Sequence, residues 1–110
     1  AHAHGIAVIL DVVYNHLGPD GNYLKPFAGA YFSTKHKTEW GEAINFDGED
    51  SGPVRDFFAA NAAYWVDEFH LDGLRLDATQ NIYDDAPPRE HILTEIGRRA
   101  RQAAGGRSII

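Results

Sequence analysis

Blocks of apolar residues recur along this chain, and their spacing changes from block to block. Ile6-Ala7-Val8-Ile9-Leu10-Asp11-Val12-Val13 is an almost unbroken aliphatic and β-branched run. That pattern predicts a strand covered on both faces, as in parallel sheets. A second short buried strand is predicted at Leu71-Asp72-Gly73-Leu74-Arg75-Leu76-Asp77-Ala78. Alternation places Leu74, Leu76 and Ala78 on one side of it and Arg75 and Asp77 on the other. Between these runs, Val54, Phe57, Phe58, Asn61, Ala62, Trp65, Val66 and Phe69 recur every three or four residues. This spacing predicts an amphipathic helix over about 53–69, with Asp50 and Ser51 as capping side chains and Pro53 in its first turn. A second helix is predicted over about 88–104, with Ile92, Leu93, Ile96, Ala100 and Ala103 inward and Gly105-Gly106 as its stop. Asp84 and Asp85 are placed to cap it. Ser108-Ile109-Ile110 then begins a third strand.

The order strand, loop, helix, strand, loop, helix, strand implies parallel strands joined by right-handed crossovers, an α/β architecture. In such folds ligands gather at the C-terminal ends of the strands. The stretch from about 17 to 52 is a long βα connection rich in Gly, Asp, Asn and aromatic residues. A connection well beyond about 15 residues is usually functional or disordered, and its aromatic content favours an ordered excursion over that rim. Tyr23, Tyr31 and Trp40 are expected to pack the loop on itself, with stacking on sugar faces as the alternative. His70 is expected to make a local hydrogen bond.

Composition removes several classes of function. The 110 residues carry 10 Lys plus Arg and a formal net charge of −6, so there is no basic stripe for a phosphate backbone, and nucleic acid is not an expected partner. No apolar run approaches the roughly 18 residues that span a bilayer, and no membrane association is expected. The absence of Cys excludes disulfides and thiolate metal sites in this stretch and fits a cytoplasmic location. Ala1-His2-Ala3-His4-Gly5 reads as the end of a helix closed by Gly, and the sequence stops inside an apolar run, so a segment of a larger domain is expected.

The two strands should bring Asp11, His16, Arg75 and Asp77 together at one rim. An Arg and an Asp two apart on a strand are also the pattern of a structural ion pair. The fuller set can do more: Asp11 can hold Arg75, Arg75 can keep Asp77 ionised, and His16 can donate to a hydroxyl. An ionised carboxylate beside a hydroxyl-binding His suits a glycosidase nucleophile. Glu95 falls inside the second helix and is rejected as a catalytic acid.

Asp11-Val12-Val13-Tyr14-Asn15-His16 resembles the first signature of the α-amylase superfamily of glycoside hydrolases, and Gly73-Leu74-Arg75-Leu76-Asp77-Ala78 resembles its second. The stretch Asn15-His16-Leu17-Gly18-Pro19-Asp20-Gly21-Asn22-Tyr23-Leu24, with Tyr31-Phe32, Trp40-Gly41 and the run from His70 to Thr79, is similar to the trehalose-releasing trehalohydrolase branch. The resemblance implies a fragment of a (β/α)8 TIM barrel, from about the third strand to the start of the fifth, with residues 1–110 as a central segment of the catalytic barrel. It implies that Asp77 is the catalytic nucleophile, that Arg75 orients it, and that Asp11 and His16 brace and bind the sugar. Ala78, Thr79 and Gln80 would line neighbouring subsites. Asn15 stands where calcium-dependent members place a metal ligand, but no metal and no cofactor is expected here.

The implied reaction is retaining hydrolysis of the α-1,4 bond next to a terminal trehalose unit in a maltooligosaccharide-type substrate. The general acid and a further Asp would lie beyond Ile110, so the isolated segment is expected to be inactive. The alternatives are a 1,4-α-glucan branching or debranching enzyme, and an amylase-like subunit without catalysis. A nucleotide-binding domain is disfavoured, because no Gly-x-Gly-x-x-Gly turn follows either strand.

Overall fold

The structure, a computed structural model, describes residues 1–85, 87 and 89–110. Two parallel strands, β1 (Ile9–Val12) and β4 (Gly73–Leu76), form the sheet that carries the rim residues. They pair in register, Ile9 beside Gly73 and Asp11 beside Arg75. Both are four residues long, shorter than the apolar runs that announced them. The parallel crossover between them is made by α1 (Ser51–Asp67), and α2 (Ile92–Ala104) follows β4. The predicted third strand is represented by Ile110. Its carbonyl accepts from the Leu74 N–H at 2.9 Å and its own N–H donates to the Asp72 carbonyl at 2.9 Å, on the edge of β4 turned away from β1. Gly73 is needed for that approach, since a Cβ there would lie 2.1 Å from the Ile110 carbonyl oxygen.

The core sits between the sheet and the two helices. Val12, Tyr14, Phe46, Val54, Phe58, Ala62, Ile92 and Ile96 are buried in one cluster, with Leu10, Leu74 and Leu76 packed against it. Only this face of the β1–β4 pair is covered. In this 110-residue segment Ile9, Asp11, Val13 and Arg75 are exposed, so the described residues cover one face of strands expected to be covered on both. Two helices lying on one side of two strands leave the other side of the sheet bare.

The helices also differ from their predicted outlines. α1 begins two residues earlier and ends two residues earlier than expected. Its buried residues are Ser51, Val54, Arg55, Phe58, Ala59, Ala62 and Val66, a stripe rotated from the predicted one. Phe57 and Phe69 are exposed. Phe57 packs edge-on against Tyr31 with centroids 5.6 Å apart, and Phe69 joins Tyr64 and Trp65 in an aromatic group on the outer surface. Asp50 occupies the cap position in the left-handed region (φ 55) and makes no side-chain cap bond. Asp84 does cap α2, accepting from the Ile92 N–H at 2.7 Å, whereas Asp85 does not. α2 begins at Ile92, later than the expected start near 88, because residues 89–91 are not helical; the loop reading at Ala86 and Pro88 lies outside the described residues. His70 takes a positive φ of 54, and its ring makes no hydrogen bond among the described residues.

The 17–52 stretch contains an antiparallel hairpin of β2 (Phe32–Thr38) and β3 (Gly41–Ile44), bridged to the end of the first strand run through His16 and Ala43. Asn45 ties its return. The Asn45 amide donates to the Ala30 and Glu49 carbonyls at 2.9 and 2.8 Å, and its Oδ1 accepts from the Gly48 N–H at 2.9 Å. A Cβ at Gly48 would lie 2.6 Å from that Oδ1, so the turn closes only over glycine. Trp40 packs near the His16 ring, at 6.0 Å between centroids. Tyr23 is exposed and does not pack. Its segment is held by local backbone bonds instead, from Ala28 N–H to the Leu24 carbonyl and from Leu24 N–H to Asn22 Oδ1. Among the described residues no helix is long and apolar enough to cross a membrane.

Candidate active site

The register of β1 and β4 decides where the charges meet. Asp11 and Arg75 are directly opposed partners, and Asp77 lies one residue beyond β4 on the same side as Arg75. Arg75 Nη1 donates to Asp11 Oδ1 and Oδ2 at 3.1 and 3.3 Å and to Asp77 Oδ1 at 2.5 Å. One guanidinium nitrogen therefore bridges both carboxylates. The hydrogen bonds it donates to Asp11 and then Asp77 push the Arg75 guanidinium above its already high ordinary value, so it stays charged throughout the working range of pH. The three side chains are open to solvent, at 57% for Arg75, 64% for Asp11 and 41% for Asp77.

The backbone of Asp77 is held from both directions. Its N–H donates to the Val12 carbonyl at 3.0 Å, and its carbonyl accepts from Asn15 Nδ2 at 2.9 Å. Asn15 is buried, and its other amide atom, Oδ1, lies 2.5 Å from His16 Nδ1. The Asn15 amide thus spans from the carbonyl of Asp77 to the imidazole of His16. His16 makes no hydrogen bond to Asp11, Arg75 or Asp77 among the described residues. The sequence-predicted set is therefore a trio of Asp11, Arg75 and Asp77 in direct contact, with His16 joined to it through Asn15. Ala78, directly after Asp77, adopts φ 44 and ψ 52, a left-handed conformation that costs a non-glycine residue about 1–2 kcal/mol. Such strain gathers where a site over-determines its backbone. Thr79 and Gln80 follow in a short 3-10 turn and are exposed on the rim.

Two features had no clear sequence signal. Asn15 was legible only by position in a motif, not as the clamp on Asp77. Arg55 sits in the predicted helix but is buried, donating to Asp84, Glu95 and the carbonyls of Phe46 and Glu90. Glu95 is held there, away from Asp77, as its place inside α2 requires.

The Arg75–Asp77 arrangement can present one carboxylate oxygen to an electrophilic carbon while the guanidinium fixes its direction.

No family model matches the sequence. Individual proteins do. The chain is 55% identical over 96 residues to the malto-oligosyltrehalose trehalohydrolase of Saccharolobus solfataricus, covering 87% of this chain and 17% of that enzyme. It is 46% identical over 104 residues to that of Arthrobacter ramosus, covering 94% of this chain and 18% of the relative. Its fold matches the crystal structure of a candidate alpha amylase from Salmonella typhimurium with a TM-score of 0.86 at 42% identity, over 98% of this chain and 18% of that one. The chain thus spans less than a fifth of the length of each of these proteins. Along nearly all of its own length it resembles the α-amylase superfamily of glycoside hydrolases and, within it, the malto-oligosyltrehalose trehalohydrolases.

Proposed function

We propose that this chain is the segment of a retaining glycoside hydrolase that carries the nucleophile, in an enzyme that cleaves the α-1,4 bond next to a terminal trehalose unit and releases trehalose. The observation that supports this best is the solvent-open Asp77 carboxylate, fixed by Arg75 at 2.5 Å at the C-terminal end of a parallel strand. In a (β/α)8 barrel that end is the catalytic face. The segment is read as the third strand to the start of the fifth, with residues 17–52 as an excursion over that face. A cytoplasmic location is proposed with it.

In the first step a free oxygen of Asp77 forms a bond to the anomeric carbon as the glycosidic bond breaks. The departing oxygen takes a proton from a second carboxyl group, supplied by chain beyond this segment. In retaining enzymes the two groups stand about 5–5.5 Å apart. Water then displaces Asp77, giving up its proton to that second group and restoring the carboxylate. Arg75 and Asp11 hold Asp77 in direction through both steps, His16 and Asp11 bind hydroxyls of the sugar, and Ala78, Thr79 and Gln80 border it.

The test is product analysis of the full-length protein on a maltooligosyltrehalose. Free trehalose and a shortened maltooligosaccharide are expected, with retained anomeric configuration. New α-1,6 linkages without trehalose would replace this reading with a branching enzyme, and no turnover at all would replace it with an inactive amylase-like subunit.

A further inference from the structure

A third group of charged side chains belongs to neither the Arg75 trio nor the Arg55 network. His36 on β2, Asp47 just ahead of α1 and Asp85 in the loop between β4 and α2 each bring one ligand atom within 4.8 Å of the others. His36 Nε2 lies 2.9 Å from Asp47 Oδ2 and 3.8 Å from Asp85 Oδ2. The His36 ring is stacked on Tyr83, with centroids 4.7 Å apart and planes 12° from parallel, which fixes the direction of Nε2.

Asp47 gives the cluster its meaning. Its side chain is 1% exposed, and Oδ2 also accepts from the Asp85 N–H at 3.1 Å. The other oxygen, Oδ1, is buried and has no hydrogen-bond partner among the described residues. A buried, charged oxygen without a partner is costly and uncommon in a folded protein. Burial opposes ionisation of Asp47, but the bond from His36 and then that from the Asp85 N–H hold its carboxyl below the ordinary carboxylate range. The carboxylate is thus charged, buried and half-satisfied. The neighbouring ammonium of Lys35 contacts the Asp47 backbone carbonyl at 3.4 Å, not the orphaned oxygen.

We propose that His36, Asp47 and Asp85 form a binding site for a divalent transition-metal cation of the Zn²⁺ or Co²⁺ type. One imidazole nitrogen with two carboxylates is a donor set for borderline cations, not for Ca²⁺ or Mg²⁺ held by oxygen alone. Bonds of about 2.0–2.1 Å in a tetrahedral site put ligand atoms roughly 3.3 Å apart, and the distances of 2.9 and 3.8 Å from His36 Nε2 bracket that value. Asp47 offers Oδ2 at that spacing, and its Oδ1, which has no hydrogen bond to give up among the described residues, is free to share the cation. Asp85, which is exposed, can close the site and leaves a position for water. The ion would pin together the hairpin, the approach to α1 and the loop that follows the nucleophile strand. It would stiffen the rim without touching the reacting sugar, so the proposal does not depend on the reaction assigned above.

The test is Co²⁺ titration of the chelator-stripped full-length protein, followed by visible absorption and by competition with Zn²⁺. The wild-type protein is expected to bind one more equivalent of Co²⁺ than His36→Gln, with absorption bands that vanish on addition of Zn²⁺. Asp85→Asn is expected to weaken that equivalent by at least about tenfold. Because the Asp85 side chain lies at the surface, this variant reports on the site even where His36→Gln fails to fold. Equal Co²⁺ stoichiometry and affinity in wild type and Asp85→Asn would overturn the proposal and leave His36–Asp47 as an ion pair only.

Discussion

Two arginines in this chain each grip two carboxylates, and the two groups do opposite things with the same chemistry. Arg55 on α1 meets Asp84 and Glu95 inside the packing of the helices, where its side chain is 6% exposed and its remaining N–H groups are used by the Phe46 and Glu90 carbonyls. Arg75 on β4 meets Asp11 and Asp77 on the bare face of the sheet. In the first group every charge is answered and water is excluded, so the interaction locks α1, α2 and the loop before α2 to one another. In the second, both oxygens of Asp11 and Oδ1 of Asp77 accept from Arg75, and Asp77 Oδ2 is left without a partner among the described residues. An ion pair becomes a site when it leaves reactive atoms unspent and reachable. Burial and satisfaction make it a structural part instead.

The sharpest break between the two is Asp77→Asn in the full-length enzyme. It is expected to lower trehalose release on the order of 10⁴-fold or more, with the melting temperature unchanged, because the side chain is exposed and nearly isosteric. A lost fold would place Asp77 with the structural group. Arg55→Met is the converse. Removing one partner from a buried ion network costs about 3–5 kcal/mol, so a large drop in the denaturation midpoint is expected, with no change in kcat for the fraction that stays folded. Asn15→Ala tests the clamp between them. A displaced nucleophile costs on the order of 100-fold, read as a fall in kcat larger than any rise in KM; an unchanged kcat would reduce Asn15 to packing. Ala78→Gly should have the smallest effect. It relieves the left-handed backbone and is offset by glycine's greater freedom when unfolded, for a net gain of about 0.5–1 kcal/mol in chemical denaturation.

Acid probes the third group, around Asp47. Asp47's carboxyl is lowered in the folded state, so its contribution to stability is fully present above the unfolded value near 3.9 and is lost as pH falls through the folded value. Asp47→Asn should flatten the loss of stability below about pH 4, measured by denaturation across pH.

The candidate site was more legible than the core around it. Arg75 and Asp77 could be assigned to one side of a strand because alternation in a strand has a period of two and tolerates no slip, and Asp11 followed from a parallel partner. The helix faces were harder to read. Phe57 and Phe69 fit the predicted stripe as well as Val54 and Phe58 do, yet both lie outside, while Arg55 lies within. Hydrophobicity alone does not reveal that a guanidinium will be buried when two carboxylates and two carbonyls, brought from residues 46, 84, 90 and 95, converge on it. Tyr23 misled for a related reason, since its loop closes through backbone bonds that composition does not display.

Local pattern by itself determined the two parallel strands β1 and β4, the helix that follows each of them and the pair of residues that share one side of β4, because these follow from periodicity and chain handedness over a few residues. Tertiary structure decided the rest: which carboxylates Arg75 bridges, that Asn15 fastens Asp77 to the neighbourhood of His16, and that His36, Asp47 and Asp85 meet. Apart from the local Arg75–Asp77 and Asn15–His16 pairs, those contacts join residues 11 to 64 positions apart, and no short-range pattern encodes a distance that exists only once the chain has closed on itself.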